Sequence, residues 1–253
     1  MSRYRIITNA TRIGGGLLWL ALSMLSADGL TGGRGFGFAS AAAQEQSVRP
    51  DVNKEFLAEQ LDLQMWRERF EVESREVFQH REAIVAAIGL TEGQQVADVG
   101  AGTGAFMAPL TKAVGSAGSL FAVDISPNMV QFLRRRADEE AHPNVTVVLC
   151  NERSCTLPAN SIDAALIVDT YHHFEYPQDT LASLHRALRP EGTLVIVDFD
   201  KIEGVSREWV MGHVRADRAQ VIGELEAAGF QRIDARDVPG LTENYLIRFR
   251  KRP

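Results

Sequence analysis

Val96-Ala97-Asp98-Val99-Gly100-Ala101-Gly102-Thr103-Gly104-Ala105-Phe106 is the stretch from which the rest of the chain can be read. Its opening residues, with Gln95, have the apolar, β-branched character of a strand, and a helix-like run begins near Ala105. Between them glycine takes every second position: Gly100, Gly102 and Gly104. Glycine permits the tight strand-to-helix turn and leaves no Cβ between the backbone and a ligand. The helix beyond the turn presents free N–H groups and partial positive charge, which suit an anionic or carboxylate group.

Outward from the loop, strand and helix alternate. Residues 119–124 form a second strand ending in Asp124, and Ser126 and Pro127 read as the cap and first-turn proline of a helix over 128–137. Further strands are expected at 145–149 (buried, by its β-branched density), 161–168 and 193–198, with helices near 180–188 and 218–228. Residues 231–238 and 244–250 flank Pro239-Gly240 as an antiparallel pair. This predicts an α/β fold: Rossmann-like and doubly wound, a mostly parallel seven-stranded sheet with a C-terminal antiparallel hairpin. Upstream, residues 89–93 make the turn into the first strand. Residues 52–88 are helical by periodicity, with one stripe through Phe56, Leu57, Leu61 and Met65 and another through Val77, Phe78, Ile84, Val85 and Ile88. Ser74 is a candidate cap for the second helix.

The composition fits one domain of ordinary core size plus extra segments: 253 residues, 45% hydrophobic, 24% charged, net charge −6. Nothing in the balance supports a nucleic-acid partner. Arg134-Arg135-Arg136 lies on a predicted helix and is followed by Asp138-Glu139-Glu140, a solvated and charge-balanced face. Residues 1–43 differ in kind. Arg3, Arg5 and Arg12 precede an apolar run over 17–25, and small residues close the segment at Ala39-Ser40-Ala41-Ala42-Ala43. That order predicts a signal peptide cleaved after Ala43 and a periplasmic or secreted protein without stable membrane insertion. An organelle transit peptide and an uncleaved anchor are the alternatives. Residues 44–51 are polar, end near Pro50 and read as a linker; 52–88 form an N-terminal helical segment and 89–253 the main domain.

The glycine letters also satisfy the loose dinucleotide pattern G-x-G-x-x-G/A. Two acids point elsewhere: Asp98, two residues before the first glycine, and Asp124, at the next strand's end. In this form the stretch resembles the cofactor loop of the class I S-adenosylmethionine-dependent methyltransferases. Leu157-Pro158 with Ile162-Asp163, Tyr171-His172-His173-Phe174, and Leu188-Arg189-Pro190 with Gly192 are similar to that family's quinone- and small-molecule-modifying branch. The resemblance covers about residues 83–250. It implies S-adenosylmethionine as cofactor, a small-molecule acceptor, and a lid formed by the helices ahead of the first strand; an ordinary packing segment is the other reading of those helices. It also implies that Asp98, Gly100, Gly102 and Gly104 hold the methionine end and that Asp124 accepts from the ribose hydroxyls. Ile125 and Asp169 complete the expected cofactor set. One departure stands out. After the third strand the family usually carries Gly-Asp, where this chain has Cys150-Asn151-Glu152, so either Asn151 or Glu152 is the expected acceptor for the adenine amine.

Methyl transfer is a displacement at a sulfonium methyl, for which the protein mainly aligns the groups and excludes water. A base is needed when the acceptor starts protonated. Tyr171, His172 and His173 are the candidates, since imidazole ordinarily titrates near neutrality; a packing or capping role is the alternative for the histidines. The polar excursion over 200–218 offers His213, Arg215 and Trp209 as acceptor-side residues, or else forms a solvated loop. No ligand spacing compels a metal, and none is expected. Competing functions are a nicotinamide-dependent oxidoreductase and a non-catalytic exported S-adenosylmethionine-binding protein. The last draws weight from the leader, because export separates an enzyme from a cytosolic cofactor. Cys150 and Cys155 either pair in an oxidising compartment or remain thiols.

Overall fold

The computed structural model describes residues 44–252, so the expected leader lies outside the described residues. Seven strands form one sheet: β1 (Gln95–Val99), β2 (Ser119–Asp124), β3 (Val145–Leu149), β4 (Ile162–Val168), β5 (Leu188–Phe199), β6 (Phe230–Arg236) and β7 (Asn244–Lys251). Their order is β3-β2-β1-β4-β5-β7-β6. β1 to β5 run parallel, and β7 is antiparallel to both its neighbours. From β1 the chain builds outward through β2 to β3, then crosses back to β4 and builds the other way. Such a reversal opens a crevice beyond the carboxyl ends of the strands.

The helices are α1 (Leu63–Phe70), α2 (Glu76–Gln79), α3 (Arg81–Ile88), α4 (Met107–Val114), α5 (Pro127–Glu139), α6 (Pro177–Ala187), α7 (Glu208–His213) and α8 (Arg218–Ala227). They cover both faces of the sheet because the central strands carry buried apolar residues on both sides. Along β4 and β5, Ala165, Ile167, Leu194 and Ile196 face one core with Leu181, Leu184, Val221 and Leu225 of α6 and α8. The alternate residues Ala164, Leu166, Val195 and Val197 face a second core with Ile84, Leu110 and Leu133 of α3, α4 and α5. Burying each large aliphatic side chain stabilises the fold by about 1.5–3 kcal/mol, so these two strands anchor the crevice rigidly.

Three expectations change. β3 is not a buried strand: it forms the sheet edge, with Thr146 and Leu149 exposed. β-branched density marks a strand without telling its place in the sheet. The region 52–88 holds three short helices rather than two, and Arg75, not Ser74, precedes α2, with no side-chain cap. Long-range contacts override the helical periodicity there. Glu76, for instance, accepts from the backbone N–H groups of Thr242, Glu243 and Asn244 at 2.7–2.8 Å. Residues 44–51, read as a linker, run along the body: Gln44 N donates to Asp179 (3.0 Å) and Ser47 Oγ to Glu175 (2.9 Å). Ser126 caps α5 through the Met129 N–H, with Pro127 at the first turn, as its sequence indicates. Cys150 and Cys155 are free thiols, and burial followed by the Asp124 charge pushes Cys150 up to about 12.

Candidate active site

At the switch point the glycine loop after β1 meets the residues after β4. Gly100 has φ +81°, and a Cβ there would lie 2.2 Å from the Thr170 side chain, so both conformation and space require glycine. Gly102, at φ +54°, faces the Phe70 ring of α1, with 3.5 Å between that ring and its would-be Cβ. Its N–H donates to Asp124 Oδ2 and the Ser126 N–H to Oδ1, each at 2.8 Å. The Asp124 carboxylate is thereby locked in orientation, while each oxygen keeps a lone pair for a further donor. Burial pushes its pKa up, against the backbone donors.

Asp98 is 4% exposed and lines the same cavity. Burial, reinforced by the Asp124 charge, raises its pKa to about 7. A cation placed beside it would restore the carboxylate, so the group is matched to a positively charged ligand. Gly100, Gly102, Asp124 and Ile125 line this cavity of about 1230 Å³. That exceeds the ~300–1,000 Å³ of an ordinary small-molecule pocket and leaves room for two ligands. Gly104 stands at the loop's end, its would-be Cβ 2.9 Å from Leu133, and so serves close packing of loop on helix. Asn151 and Glu152 line a smaller adjoining pocket that shares Gly100, Ile125, Thr170 and His173 with the larger one. The Asn151 side-chain oxygen is occupied by the Arg153 N–H at 2.9 Å, which leaves Glu152 the freer acceptor.

The N-terminal segment covers this crevice. Phe56, Trp66 and Phe70 pack ring against ring, with centroids 4.7 Å apart for Phe56–Trp66 and 5.1 Å for Trp66–Phe70. Polar ties pin the cover at both ends. Arg136 of α5 reaches Glu71 (2.6 Å) and the Thr103 carbonyl (2.7 Å), Arg75 pairs with Asp169 (2.6 Å), and Asn53 donates to the His173 carbonyl (3.0 Å). Asp169, expected to hold cofactor, is engaged by Arg75 and Asn244, with positive φ (46°); it fixes the cover to the sheet. Burial raises its pKa and Arg75 opposes the rise.

The opposite wall is imidazole. His172 lies on a single 3₁₀ turn after β4, its Nδ1 2.7 Å from Asp198 Oδ1 and its backbone N–H 3.1 Å from Oδ2. A carboxylate facing Nδ1 favours the proton on that nitrogen, and in the tautomer so selected Nε2 is the acceptor nitrogen turned away from Asp198. α7 brings His213 across, with Nε2 3.4 Å from His173 Nε2. Trp209 stacks on the His213 ring at 4.4 Å, and Phe56 meets His173 edge-on at 5.5 Å. Burial, then the neighbouring imidazoles His172 and His213, lowers His173 to about 2; burial, then His172, lowers His213 to about 4. Both are neutral at physiological pH.

Two sequence expectations fail here. Tyr171 does not line the cavity: it is fully buried in the core, its hydroxyl donating to Glu224 at 2.6 Å, and burial, then the Glu224 charge, pushes its pKa well above 10. Arg215 is paired twice with the same Glu224, at 2.8 and 2.6 Å, and so belongs to α8's packing. Sequence reading set Asp198 at the ligand end of the sheet without a specific role and gave none to Arg75, Asn53 or Arg49, which position the site, Arg49 by donating to the His213 carbonyl. Asp198, as an acid at a strand's carboxyl end, carried the only local signal.

Residues 97–196 match the family described as methyltransferase domain. A demethylmenaquinone methyltransferase of Tropheryma whipplei (strain Twist) is 37% identical over 120 residues, 47% of each chain. A ubiquinone/menaquinone biosynthesis C-methyltransferase of Erwinia tasmaniensis is 30% identical over 114 residues, 45% of each. This chain thus spans about half the length of the curated relatives it matches. The crystal structure of a SAM-dependent methyltransferase from Aquifex aeolicus superposes with TM-score 0.67 at 26% identity, covering 76% of this chain and 99% of that one. The sheet order and glycine loop define a Rossmann-like fold. With these relatives, the matched part of the chain is similar to the class I S-adenosylmethionine-dependent methyltransferases, and within them to quinone-modifying enzymes.

Proposed function

We propose that the protein transfers a methyl group from S-adenosylmethionine to a small-molecule acceptor. The observation that carries this reading is one cavity with two unlike walls: a glycine and carboxylate wall on one side, three imidazoles on the other. The bound cofactor would supply an electrophilic methyl on a sulfonium sulfur. For this the chain offers Asp98 toward a cationic group, the Gly100–Gly104 backbone (residues 100–104) for close approach, Asp124 for a vicinal diol, and Glu152 or Asn151 beside the smaller pocket for an amine. Phe56, Trp66 and Phe70 keep water from the loop, which makes residues 52–88 a lid in this reading.

On the acceptor side, His172 is the favoured base, because Asp198 fixes its tautomer and leaves Nε2 free to take a proton from a hydroxyl. His173 and His213, both neutral, orient the acceptor. The relatives' names suggest an aromatic quinol-like acceptor, whose hydroxyl or ring carbon would lie on this wall. Calorimetric titration with S-adenosylmethionine tests the first half and labelled-methyl transfer to a hydroquinone panel the second. Absence of cofactor binding to folded protein would overturn the assignment.

We also infer export, with the mature chain beginning at Gln44; no described helix is long and apolar enough to cross a membrane. The basic, apolar, small-residue order of residues 1–43 supports it. Mass spectrometry of the natural protein checks it, and an intact Met1 would reverse it.

A further inference from the structure

His172, His173 and His213 come from two separate segments, yet one ligand-capable nitrogen from each lies within 4.8 Å of the other two. The contact between His173 and His213 is informative. Two imidazoles facing each other through Nε2 at 3.4 Å stand beyond the ~2.7–3.2 Å of an N–H hydrogen bond. A tetrahedral ion with metal–nitrogen bonds of about 2.0–2.1 Å places its ligand nitrogens about 3.3 Å apart. His172 adds a second feature, since its Nδ1 is held by a buried carboxylate, Asp198, at 2.7 Å. That is the outer-shell partner which fixes a ligating imidazole's orientation and strengthens it as a donor. The rings are also braced from behind, His213 by Trp209 and His173 by Phe56.

We propose that His172, His173 and His213 form a site for a divalent transition metal of the zinc type. Three neutral nitrogen donors leave the ion its full double charge and one open position facing the cavity, the arrangement of a catalytic rather than a structural site. Arg49 and Arg69 line the same cavity, so the open position favours an anionic fourth ligand. Resting on the methyltransferase reading, the acceptor then binds through an oxygen or sulfur: the metal–oxygen or metal–sulfur bond forms as the O–H or S–H bond breaks, and the proton passes to water. In the loaded protein the His172 lone pair belongs to the metal, and acidification of the acceptor replaces removal of its proton by a base.

The test uses the untagged chain, stripped with chelator and titrated calorimetrically with zinc chloride, then with cobalt chloride while visible absorption is read. One equivalent should bind, with cobalt giving the intense bands of a tetrahedral nitrogen site. His213→Ala, on a short surface helix and least disturbing to the core, should weaken zinc binding at least a hundredfold with an unchanged circular dichroism spectrum. Asp198→Asn should weaken it about ten- to a hundredfold. No saturable binding, or binding indifferent to His213→Ala, overturns the site. The same stripped sample is titrated with S-adenosylmethionine. Cofactor binding without metal binding defeats this inference and leaves the methyltransferase reading standing, whereas metal binding without cofactor binding keeps the site and defeats that reading.

Discussion

The two walls of the cavity are built on opposite principles. The wall proposed for the cofactor is nearly contiguous in sequence, made largely of backbone, and fixed by hydrogen bonds between loop and strand end: Gly102 to Asp124, Ser126 to Asp124. The wall proposed for the acceptor is made of side chains drawn from β4's end, β5's end and α7, and is held together by contacts from residues 49–56. A backbone wall must hold one ligand in one pose, and few changes are compatible with it. A side-chain wall on short elements can be re-set for a different acceptor without disturbing the sheet.

The largest expected effect strikes the first wall. Gly102→Val puts a branched side chain at positive φ against Phe70, and Asp124→Ala removes the carboxylate that ties loop to strand. Calorimetry should show cofactor affinity reduced by about a hundredfold or more in each, which is ~2.7 kcal/mol, with the fold retained. Undiminished affinity in both would erase the distinction between the walls.

The second wall should respond in the complementary way. His172→Ala is expected to lower turnover roughly a hundredfold, whether the imidazole acts as base or as ligand, with cofactor affinity little changed. A packing histidine would instead lower stability and spare the turnover of folded enzyme. Measuring both quantities, for His173→Ala as well, separates the cases.

The third effect is pH-dependent. The native Asp98 pKa, about 7, lies above its unfolded value of 3.8. The cofactor-free protein therefore keeps a proton that the unfolded chain releases. The stability tied to that proton is fully present below about pH 4 and is lost as pH rises toward and through 7. A cationic ligand reverses the preference, so cofactor affinity should fall by up to about tenfold per unit as pH drops below 7. Asp98→Asn should flatten both profiles, followed by melting temperature and by titration across pH 5–8. Profiles unchanged in that variant would remove Asp98 from the cofactor wall.

The smallest effect marks where the acceptor wall ends. Tyr171→Phe should change turnover less than about twofold and cost about 0.5–1.5 kcal/mol of stability, since Glu224 keeps both Arg215 bonds. A large loss of turnover would return Tyr171 to the chemistry.

This contrast also explains what could be read from the chain beforehand. The seven strands, the Ser126 cap and the glycine loop are local: periodicity, capping chemistry and glycine spacing each act within a few residues. β3's exposure is not local, because an edge strand and a central strand use the same β-branched letters. Tyr171 and His172 are adjacent in sequence, and only the 3₁₀ turn decides that one enters the core while the other faces the cavity. His213 lies forty residues from His173, so no spacing rule pairs them, and the three-imidazole cluster stays hidden until α7 folds across. Arg75 and Glu71 read as a charged helix face, whereas their partners sit on β4's end and α5.

Each wall carries one indole. Trp66 packs beside Phe70 over the glycine loop, and Trp209 stacks on His213. The chain's third tryptophan, Trp19, belongs to residues 1–43 and would leave with a cleaved leader. A mature chain beginning at Gln44 would then emit light from two fluorophores, one per wall. With Trp209→Phe the remaining emission reports on the loop, and with Trp66→Phe on the imidazoles. Arrival of the two ligands could thus be timed separately in a stopped-flow mixer, without labels, and their order of binding read directly.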